Sequence, residues 1–262
     1  MKSQNDKINL YKYEEELYDL GFKNICGVDE AGRGPLAGPV VVAACILPPF
    51  LRIPGVNDSK QLSENKREEL YKIIIKNAIA YNIVFINEKV IDKLNIYEAT
   101  KKGMLEAIEG LKTKPDYVLI DAMPLNELKT DNKSIIHGDA LSASIAAASI
   151  LAKVSRDHYM EKMDIKYPNY GFKHHKGYGT KMHMEALEKF GPCKIHRRSF
   201  EPVARALSKN KQLSLNLFDE DDKDENWKSS FFSFLTCKLI NIIIIFNWGS
   251  RFNYIGRKNI YG

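Results

Sequence analysis

The sequence of residues 26–45 reads C-G-V-D-E-A-G-R-G-P-L-A-G-P-V-V-V-A-A-C, in which two adjacent acids precede a glycine-rich turn between apolar segments. This pattern predicts that Asp29 and Glu30 lie where a buried strand ends in a turn. Neighbouring side chains of a regular strand point to opposite faces, so both carboxylates serve one site only if the backbone bends there. Gly32 and Gly34 permit such a bend.

Composition indicates one main globular domain. The chain has 262 residues, of which 44% are hydrophobic and 27% are charged. We expect a domain over residues 1–207, an acidic linker over 208–230 and an atypical apolar extension over 231–262. The formal net charge is +6 and residues 219–225 contribute −5, so the rest of the chain carries +11. That surplus suits a polyanionic partner such as a nucleic acid.

The cysteines and the N-terminus favour a cytoplasmic protein. The four cysteines, Cys26, Cys45, Cys193 and Cys237, form no C-x-x-C pair. This spacing argues against a zinc ribbon or a disulfide framework and favours a reducing compartment. The first ten residues contain no apolar segment of a secretory signal.

Hydrophobic periodicity predicts an α/β chain with a central sheet flanked by helices. Strands are expected at residues 24–29, 40–47, 79–85, 117–120 and 134–137, and helices at 6–20, 64–77, 88–111, 141–163 and 182–190. The small residues in the first half of the helix at 141–163 should let it approach the sheet closely and bury one side. The chain after residue 163 alternates basic loops with one short helix.

Four acids fall at predicted strand ends or in the turns that follow them: Asp29, Glu30, Asp121 and Asp139. Clustered carboxylates raise one another's pKa unless a cation neutralises them, and an all-oxygen ligand set suits Mg²⁺ or Mn²⁺. Two such ions promote in-line attack of water on a phosphodiester. The alternative is that each acid caps a turn independently, because turns favour aspartate.

The glycine loop is a near-match to the dinucleotide-binding fingerprint. That fingerprint requires a helix after the loop, whereas a β-branched run follows this loop and two acids precede it. The chain also lacks the G-K-[ST] of a P-loop. We therefore do not interpret the loop as a nucleotide-binding motif.

Residues 171–199 form a basic segment with interleaved aromatic residues. Such a mixture suits a nucleic-acid backbone and its sugars, although a solvated basic surface has the same composition. A histidine metal site is not favoured, because the adjacent His174 and His175 lack helical H-x-x-x-H spacing. The cations are Lys173, His174, His175, Lys176, Lys181, His183, Lys194, His196, Arg197 and Arg198.

Several motifs together resemble one family. They are D-E-A-G-R-G-P-L-A-G-P-V at residues 29–40, D-S-K at 58–60, A-A-A-S-I-L-A-K-V-S-R-D at 146–157 and H-K-G-Y-G-T at 175–180. In these motifs, and over residues 25–207, the chain resembles ribonuclease HII, the type 2 ribonuclease H family. The resemblance implies a ribonuclease H-like fold whose mixed sheet begins with three antiparallel strands and whose C-terminal region is helical.

The resemblance also implies an activity: hydrolysis of the RNA strand of RNA–DNA hybrids and incision 5′ of ribonucleotides embedded in duplex DNA. Mn²⁺ or Mg²⁺ would serve as cofactor, and the products would carry 5′-phosphate and 3′-hydroxyl ends. By motif position, the implied metal-binding and catalytic residues are Asp29, Glu30, Asp121 and Asp139.

The same resemblance assigns roles in substrate binding. Gly32, Arg33 and Gly34 would read the ribose 2′-hydroxyl, and Tyr178 would stack on the adjoining deoxyribose. Lys60 and Lys153 are expected to contact phosphates. Asp157 also matches a family motif and is a candidate partner of the metal ligands.

Other interpretations of the chain remain open. A hybrid-binding module without catalysis would use the acids only as turn caps, and a ribonuclease HIII-like enzyme shares the catalytic core but has an additional N-terminal domain. We expect a monomer. Residues 212–218, Q-L-S-L-N-L-F, faintly resemble a sliding-clamp-binding peptide, with an ordinary linker as the alternative.

The tail contains an apolar run at residues 231–248 that reaches the length of a membrane span. Lys238 and Asn241 lie inside this run and argue against insertion. We therefore favour an extension without function over a membrane anchor.

Overall fold

The computed structural model describes residues 9–56, 59 and 62–209. The fold is that of the unit Met1–Ser208, and it is built on one five-stranded sheet. Its strands are β1 Ile25–Ala31, β2 Val40–Ile46, β3 Ala80–Ile86, β4 Tyr117–Asp121 and β5 Asp131–Ile135.

The sheet is mixed and its strand order is β3-β2-β1-β4-β5, which places β1 at the centre. β1 pairs with β2, and β2 with β3, in antiparallel register. β1 and β4 pair in parallel, as do β4 and β5. The predicted mixed sheet with three antiparallel strands at its start is therefore confirmed.

Helices cover both faces of the sheet. They are α1 Lys12–Asp19, α2 Glu64–Asn77, α3 Glu88–Leu94, α4 Ile96–Glu109, α5 Ala143–Lys166, α6 Phe172–His175 and α7 Lys181–Phe190. Residues 201–209 are also helical. α4 closes a core with alternate residues of the central strands, and α2 and α5 close a second core on the opposite face.

The helical prediction for residues 88–111 is confirmed for most of the segment, but two helices, α3 and α4, occupy it. Asn95 separates them with a φ of 69°, and its side chain accepts hydrogen bonds from the amides of Tyr97 and Glu98 at the start of α4. An asparagine tolerates a positive φ and caps a helix well, so it ends one helix and begins the next. By contrast, α2 has the predicted bounds, and the Ser63 side chain caps it by accepting from the Lys66 amide.

The strand predicted at 134–137 lies earlier, at β5, because His137 has a φ of 57° and starts a 3₁₀ turn over Gly138–Ala140. Two helical segments, α6 and residues 201–209, were missed. Each is short, and the hydrophobic period that identifies a helix needs a longer window.

α5 lies unusually close to β1. A Cβ atom at Gly27 would be 2.0 Å from the carbonyl carbon of Ser144, so only glycine permits this distance. Residues 143–152 of α5 are all buried, whereas burial of one side was predicted. The difference arises because α2 packs on this helix as well as the sheet does.

α1 is shorter than the predicted helix and does more than cover the core. Glu14 is buried, and its Oε1 accepts from the Ser142 hydroxyl at 2.6 Å and from the Ser144 amide at 2.9 Å. A carboxylate that accepts from the Ser144 amide in the first turn stabilises the N-terminus of α5. α1 therefore fixes the point where α5 begins.

Within the described residues, none of the helices combines the length and the apolar character that a membrane crossing requires. The predicted linker, the clamp-like peptide and the apolar run at 231–248 lie outside the described residues.

Candidate active site

Two of the predicted acids leave neighbouring parallel strands on the same face of the sheet. β1 and β4 pair with Val28 opposite Ile120. Gly27 of β1 lies against α5, so Asp29, two residues later, points to the α5 face. Leu119 of β4 packs with Ile145 of α5, so Asp121 points to that face as well.

Asp139 joins them from the 3₁₀ turn before α5. The amide of Gly138 donates to Asp121 Oδ1 at 2.7 Å, which holds the turn against the end of β4. One carboxylate oxygen from each of Asp29, Asp121 and Asp139 lies within 4.8 Å of the other two. Asp29 and Asp139 are buried and Asp121 is partly exposed. These three residues form the aspartate cluster.

Glu30 is placed differently. β1 remains a regular strand through Ala31, and the bend starts only at Gly32, whose φ is +97°. Glu30 therefore starts from the opposite side of the strand to Asp29, but its charge lies close enough to raise the pKa of Asp29. Its Oε1 lies 3.5 Å from Arg33 Nη1. The structure thus brings three of the four predicted acids into one group, with the fourth beside it.

The aspartate cluster is electrostatically strained. Burial raises the pKa of Asp29 well above the ordinary range, and the charges of Glu30 and Asp121 raise it further. Hydrogen bonds from the Ser149 side chain and from the Glu30 amide oppose the increase. A cation bound to the cluster relieves this repulsion, and three carboxylates supply the oxygen ligands that Mg²⁺ and Mn²⁺ prefer.

Ser59 of the D-S-K motif is attached to α5 beside the cluster. The hydroxyls of Ser59 and Ser149 lie 2.8 Å apart, and Arg67 Nη1 donates to the Ser59 carbonyl at 3.0 Å. Ser149 therefore contacts both Asp29 and Ser59. The predicted phosphate contact Lys60 lies outside the described residues.

Lys153 lies on α5 one turn beyond Ser149. Its Nζ donates to Asp157 Oδ1 at 2.7 Å, and Arg67 Nη2 lies 4.0 Å from Asp157 Oδ2. Burial lowers the pKa of Lys153 despite the charge of Asp157. Asp157 is thus the partner of two cations and lies outside the aspartate cluster, and a quarter of the Lys153 side chain remains exposed.

The glycine loop and Tyr178 form the exposed border of the site. Gly32 is buried, while Arg33 and Gly34 are exposed. A Cβ atom at Gly34 would lie 3.6 Å from Tyr178 Cε1, and the Tyr178 ring is about half exposed. An exposed aromatic ring beside an exposed glycine backbone provides a surface on which a sugar can rest.

The basic segment at 171–199 is only partly a surface. His175, His183, His196 and Arg197 are buried, so they cannot contact a nucleic-acid backbone directly. The expectation for these four residues was wrong. The signal available in the sequence was their position within three residues of Phe172, Ala186 and Ile195, which are core residues.

The buried histidines form a directed chain of hydrogen bonds. His183 Nδ1 donates to the Tyr178 carbonyl at 2.9 Å, so the Nε2 of the neutral ring accepts from His196 Nε2 at 3.1 Å. His196 Nδ1 then accepts from the Cys193 amide at 3.0 Å. Burial lowers the pKa of His183 to about 4 and that of His196 to about 3.

These hydrogen-bonded histidines do not form a metal site. Cys193 Sγ lies 3.2 Å from His196 Nδ1, whereas His183 contacts the other ring nitrogen of His196. One ion cannot bind His196 from both sides of its ring. The histidines instead hold the backbone carbonyl of Tyr178 in place, a role that sequence spacing did not predict.

Comparisons with known proteins agree with this geometry. The family model described as ribonuclease HII matches residues 26–203. A ribonuclease HII of Desulfitobacterium hafniense is 56% identical over 198 residues, which cover 76% of either chain. The crystal structure of ribonuclease H2 from Pyrococcus horikoshii OT3 is 28% identical and has a TM-score of 0.62, over 71% of this chain and 98% of that one. The ribonuclease HII in a PCNA:RNase HII complex from Archaeoglobus fulgidus is 27% identical with a TM-score of 0.59, over 68% and 95%.

Proposed function

The chain belongs to the ribonuclease HII family and is a ribonuclease H with activity on RNA–DNA hybrids, and we propose that it also incises duplex DNA 5′ of an embedded ribonucleotide. The observation that carries the proposal is the aspartate cluster, which lies beside the exposed glycine loop and Tyr178. The aspartate cluster supplies the chemistry, and the glycine loop with Tyr178 selects the sugar.

Asp29, Asp121 and Asp139 hold the divalent metal that the family requires, with Glu30 as a fourth ligand from the neighbouring position. Mn²⁺ and Mg²⁺ both fit this oxygen-only set. When bound, such ions supply Lewis-acid activation of the attacking water and stabilise charge on the leaving oxygen. The residues themselves orient the carboxylates: the Gly138 amide fixes Asp121, and Ser149 fixes Asp29.

Backbone amides of Gly32, Arg33 and Gly34 recognise the ribose 2′-hydroxyl, and Tyr178 stacks on the next sugar. A 2′-hydroxyl is the group by which a protein distinguishes RNA from DNA at one position. Lys153 and Lys60 bind phosphates of the substrate. Asp157 supports this role because it holds the Lys153 ammonium in position.

We propose that the protein acts as a monomer and that it is cytoplasmic; the three described cysteines, all free thiols, support the second of these proposals. The Archaeoglobus fulgidus relative forms a complex with PCNA. This likeness supports a sliding-clamp interaction of the present chain, and we propose residues 212–218 as the peptide that makes it. Deleting these residues should weaken binding to a sliding clamp, and unchanged affinity would refute the assignment.

The test of the catalytic proposal is the Asp29→Asn variant. Loss of one carboxylate from the cluster should reduce cleavage of a duplex with a single ribonucleotide by more than about 100-fold. Binding of the same duplex, measured by fluorescence anisotropy, should change little, because Asp29 is buried behind the substrate surface.

Asp19→Asn is the matched control, because it makes the same change at an exposed position outside the site. EDTA should abolish nicking by the wild type. Activity that survives both EDTA and Asp29→Asn would exclude a metal-dependent mechanism. Binding without any nicking in Mn²⁺ would instead indicate a hybrid-binding module.

A further inference from the structure

Arg197 is a buried arginine whose three hydrogen bonds all go to backbone carbonyls of the glycine loop and its continuation. Nε donates to the Gly38 carbonyl at 2.9 Å, Nη1 to that of Arg33 at 2.8 Å and Nη2 to that of Gly32 at 2.6 Å. The residue is fully buried. Its guanidinium therefore holds two consecutive carbonyls of the loop toward the protein interior.

The direction of these carbonyls determines where two amides point. The peptides on either side of Arg33 are trans, and in a trans peptide the N–H and the C=O point in opposite directions. Since the carbonyls of Gly32 and Arg33 point inward to Arg197, the amides of Arg33 and Gly34 point outward. Both residues are exposed on that side, next to Tyr178.

Backbone pairing keeps Arg197 under the loop. The amide of Arg197 donates to the Leu36 carbonyl at 2.9 Å, and the Gly38 amide donates to the Ile195 carbonyl at 2.8 Å. The guanidinium also stacks over the Phe200 ring, with Cζ 5.1 Å from the ring centroid. These contacts hold the guanidinium of Arg197 beside the carbonyls and in their plane.

The cationic charge has an additional effect. A carbonyl that accepts a hydrogen bond from a charged donor polarises its peptide unit, which makes the N–H of the same unit a stronger donor. Arg197 acts in this way on both outward amides. A lysine would retain the charge, but it lacks the planar fork that serves three carbonyls at once.

We infer that Arg197 is a positioning residue for ribose selection, which orients and polarises the Arg33 and Gly34 amides so that together they bind a ribose 2′-hydroxyl. This inference rests on the proposed function, since it names the residue that makes the loop selective. Arg197 touches no substrate. It acts through the backbone of the loop.

The decisive quantity is the ratio of two dissociation constants. Affinities for a duplex with one ribonucleotide and for the same duplex in all-DNA form are measured by fluorescence anisotropy without divalent metal. In Arg197→Lys, affinity for the ribonucleotide duplex should fall by about tenfold, as expected for loss of well-directed hydrogen bonds. Affinity for the DNA duplex should stay the same, so the ratio approaches one.

Arg205→Lys is the matched control, because Arg205 is exposed and its guanidinium binds Glu201 on the same helix. A folded Arg197→Lys protein with the wild-type ratio would overturn the inference. A wild-type protein that does not distinguish the two duplexes would instead overturn the proposed function.

A second measurement applies if Arg197→Lys does not fold. In the wild-type protein, the amide resonances of Arg33 and Gly34 should shift when the ribonucleotide duplex is added and stay unchanged with the DNA duplex. Equal shifts with both duplexes, or no shift with either, would overturn the proposed function and the inference with it, whereas a selective shift at only one of the two amides would overturn the inference alone.

Discussion

At the scale of single residues, one glycine of the G-R-G loop is strongly constrained and the other is not. Gly32 has a φ of +97°, and a Cβ atom there would lie 2.0 Å from Arg156 Nε. Gly34 is outside the left-handed region, and its nearest neighbour would be a Tyr178 carbon at 3.6 Å. Both glycines belong to the G-R-G motif, but of the two only Gly32 has a backbone conformation and neighbours that exclude a side chain.

Gly32→Ala should therefore destabilise the protein strongly, because it adds backbone strain and displaces a buried arginine. We expect a loss of about 3 kcal/mol or more, seen as a decrease in Tm of roughly 10 °C. Gly34→Ala is the control and should stay within about 0.5 kcal/mol of the wild type. Equal Tm values for the two variants would contradict the constraint assigned to Gly32.

The sequence predicts the candidate site unevenly at this scale. Acids at strand ends converge wherever strands are adjacent, so Asp29, Asp121 and Asp139 could be grouped from their positions alone. Their role as metal ligands stays a prediction. The position of Glu30 depended on where the strand bends, and the burial of Arg197 depended on tertiary packing. Local sequence encodes neither.

At the scale of elements, α5 organises the site. It presents Ser149 to Asp29, carries Lys153, and places Arg156 against Gly32 of the glycine loop, and the turn before it holds Asp139. All of these positions depend on the contact between Gly27 of β1 and the backbone of α5. A larger residue at position 27 would separate the helix from the sheet.

Gly27→Ala should consequently damage both stability and metal binding. The added methyl group meets backbone atoms that cannot rotate away, so we expect a loss of about 3 kcal/mol or more. Mn²⁺ affinity measured by calorimetry should also decrease, since Asp139 moves with α5 relative to Asp29. Cys26→Ala, a substitution on the neighbouring residue that adds no atoms, should leave the Mn²⁺ affinity unchanged. Retention of both properties in Gly27→Ala would show that the close approach is dispensable.

Element boundaries show which local signals suffice. The bounds of α2 were predictable because Ser63 caps it and its apolar residues repeat with helical spacing. The break at Asn95 was missed because the helical period continues across it, and only the positive φ reveals it. Polar edge strand β5 lacked the apolar alternation by which strands are recognised.

At the scale of the whole molecule, buried histidines link stability to pH. Burial lowers the pKa of His183 to about 4 and that of His196 to about 3, below the value of about 6.5 in an unfolded chain. Between these values the unfolded state binds more protons, so stability is lost as the pH falls from about 6.5 to about 4. Each group contributes at most about 1.4 kcal/mol per pH unit.

We therefore expect Tm in EDTA to decrease steeply between pH 6.5 and pH 4, and His183→Gln to reduce the slope by removing one titration. Asp29 acts in the opposite direction, because its raised pKa lets the folded state retain a proton that the unfolded state releases. Asp29→Asn should steepen the loss. A Tm independent of pH in this range would contradict the neutral state of the histidines.

The family match ends at residue 203 and the described unit at Ser208. A chain truncated after Ser208 should therefore retain hybrid cleavage within about twofold of the full-length protein, as expected for an independent domain. Cell fractionation of tagged full-length and truncated chains tests the tail at the same time. A full-length protein confined to membranes would refute the interpretation of the tail as an extension without function.

The central position of β1 also determines how the site responds to thermal opening. Its backbone is hydrogen-bonded on one side to β2 and on the other to β4. The amides that precede the aspartate cluster should exchange with deuterated solvent only when the whole domain unfolds, whereas those of Arg33 and Gly34 exchange from the native state. The chemistry is thus built into the last part of the protein to open, and sugar selection into a part that meets solvent continuously.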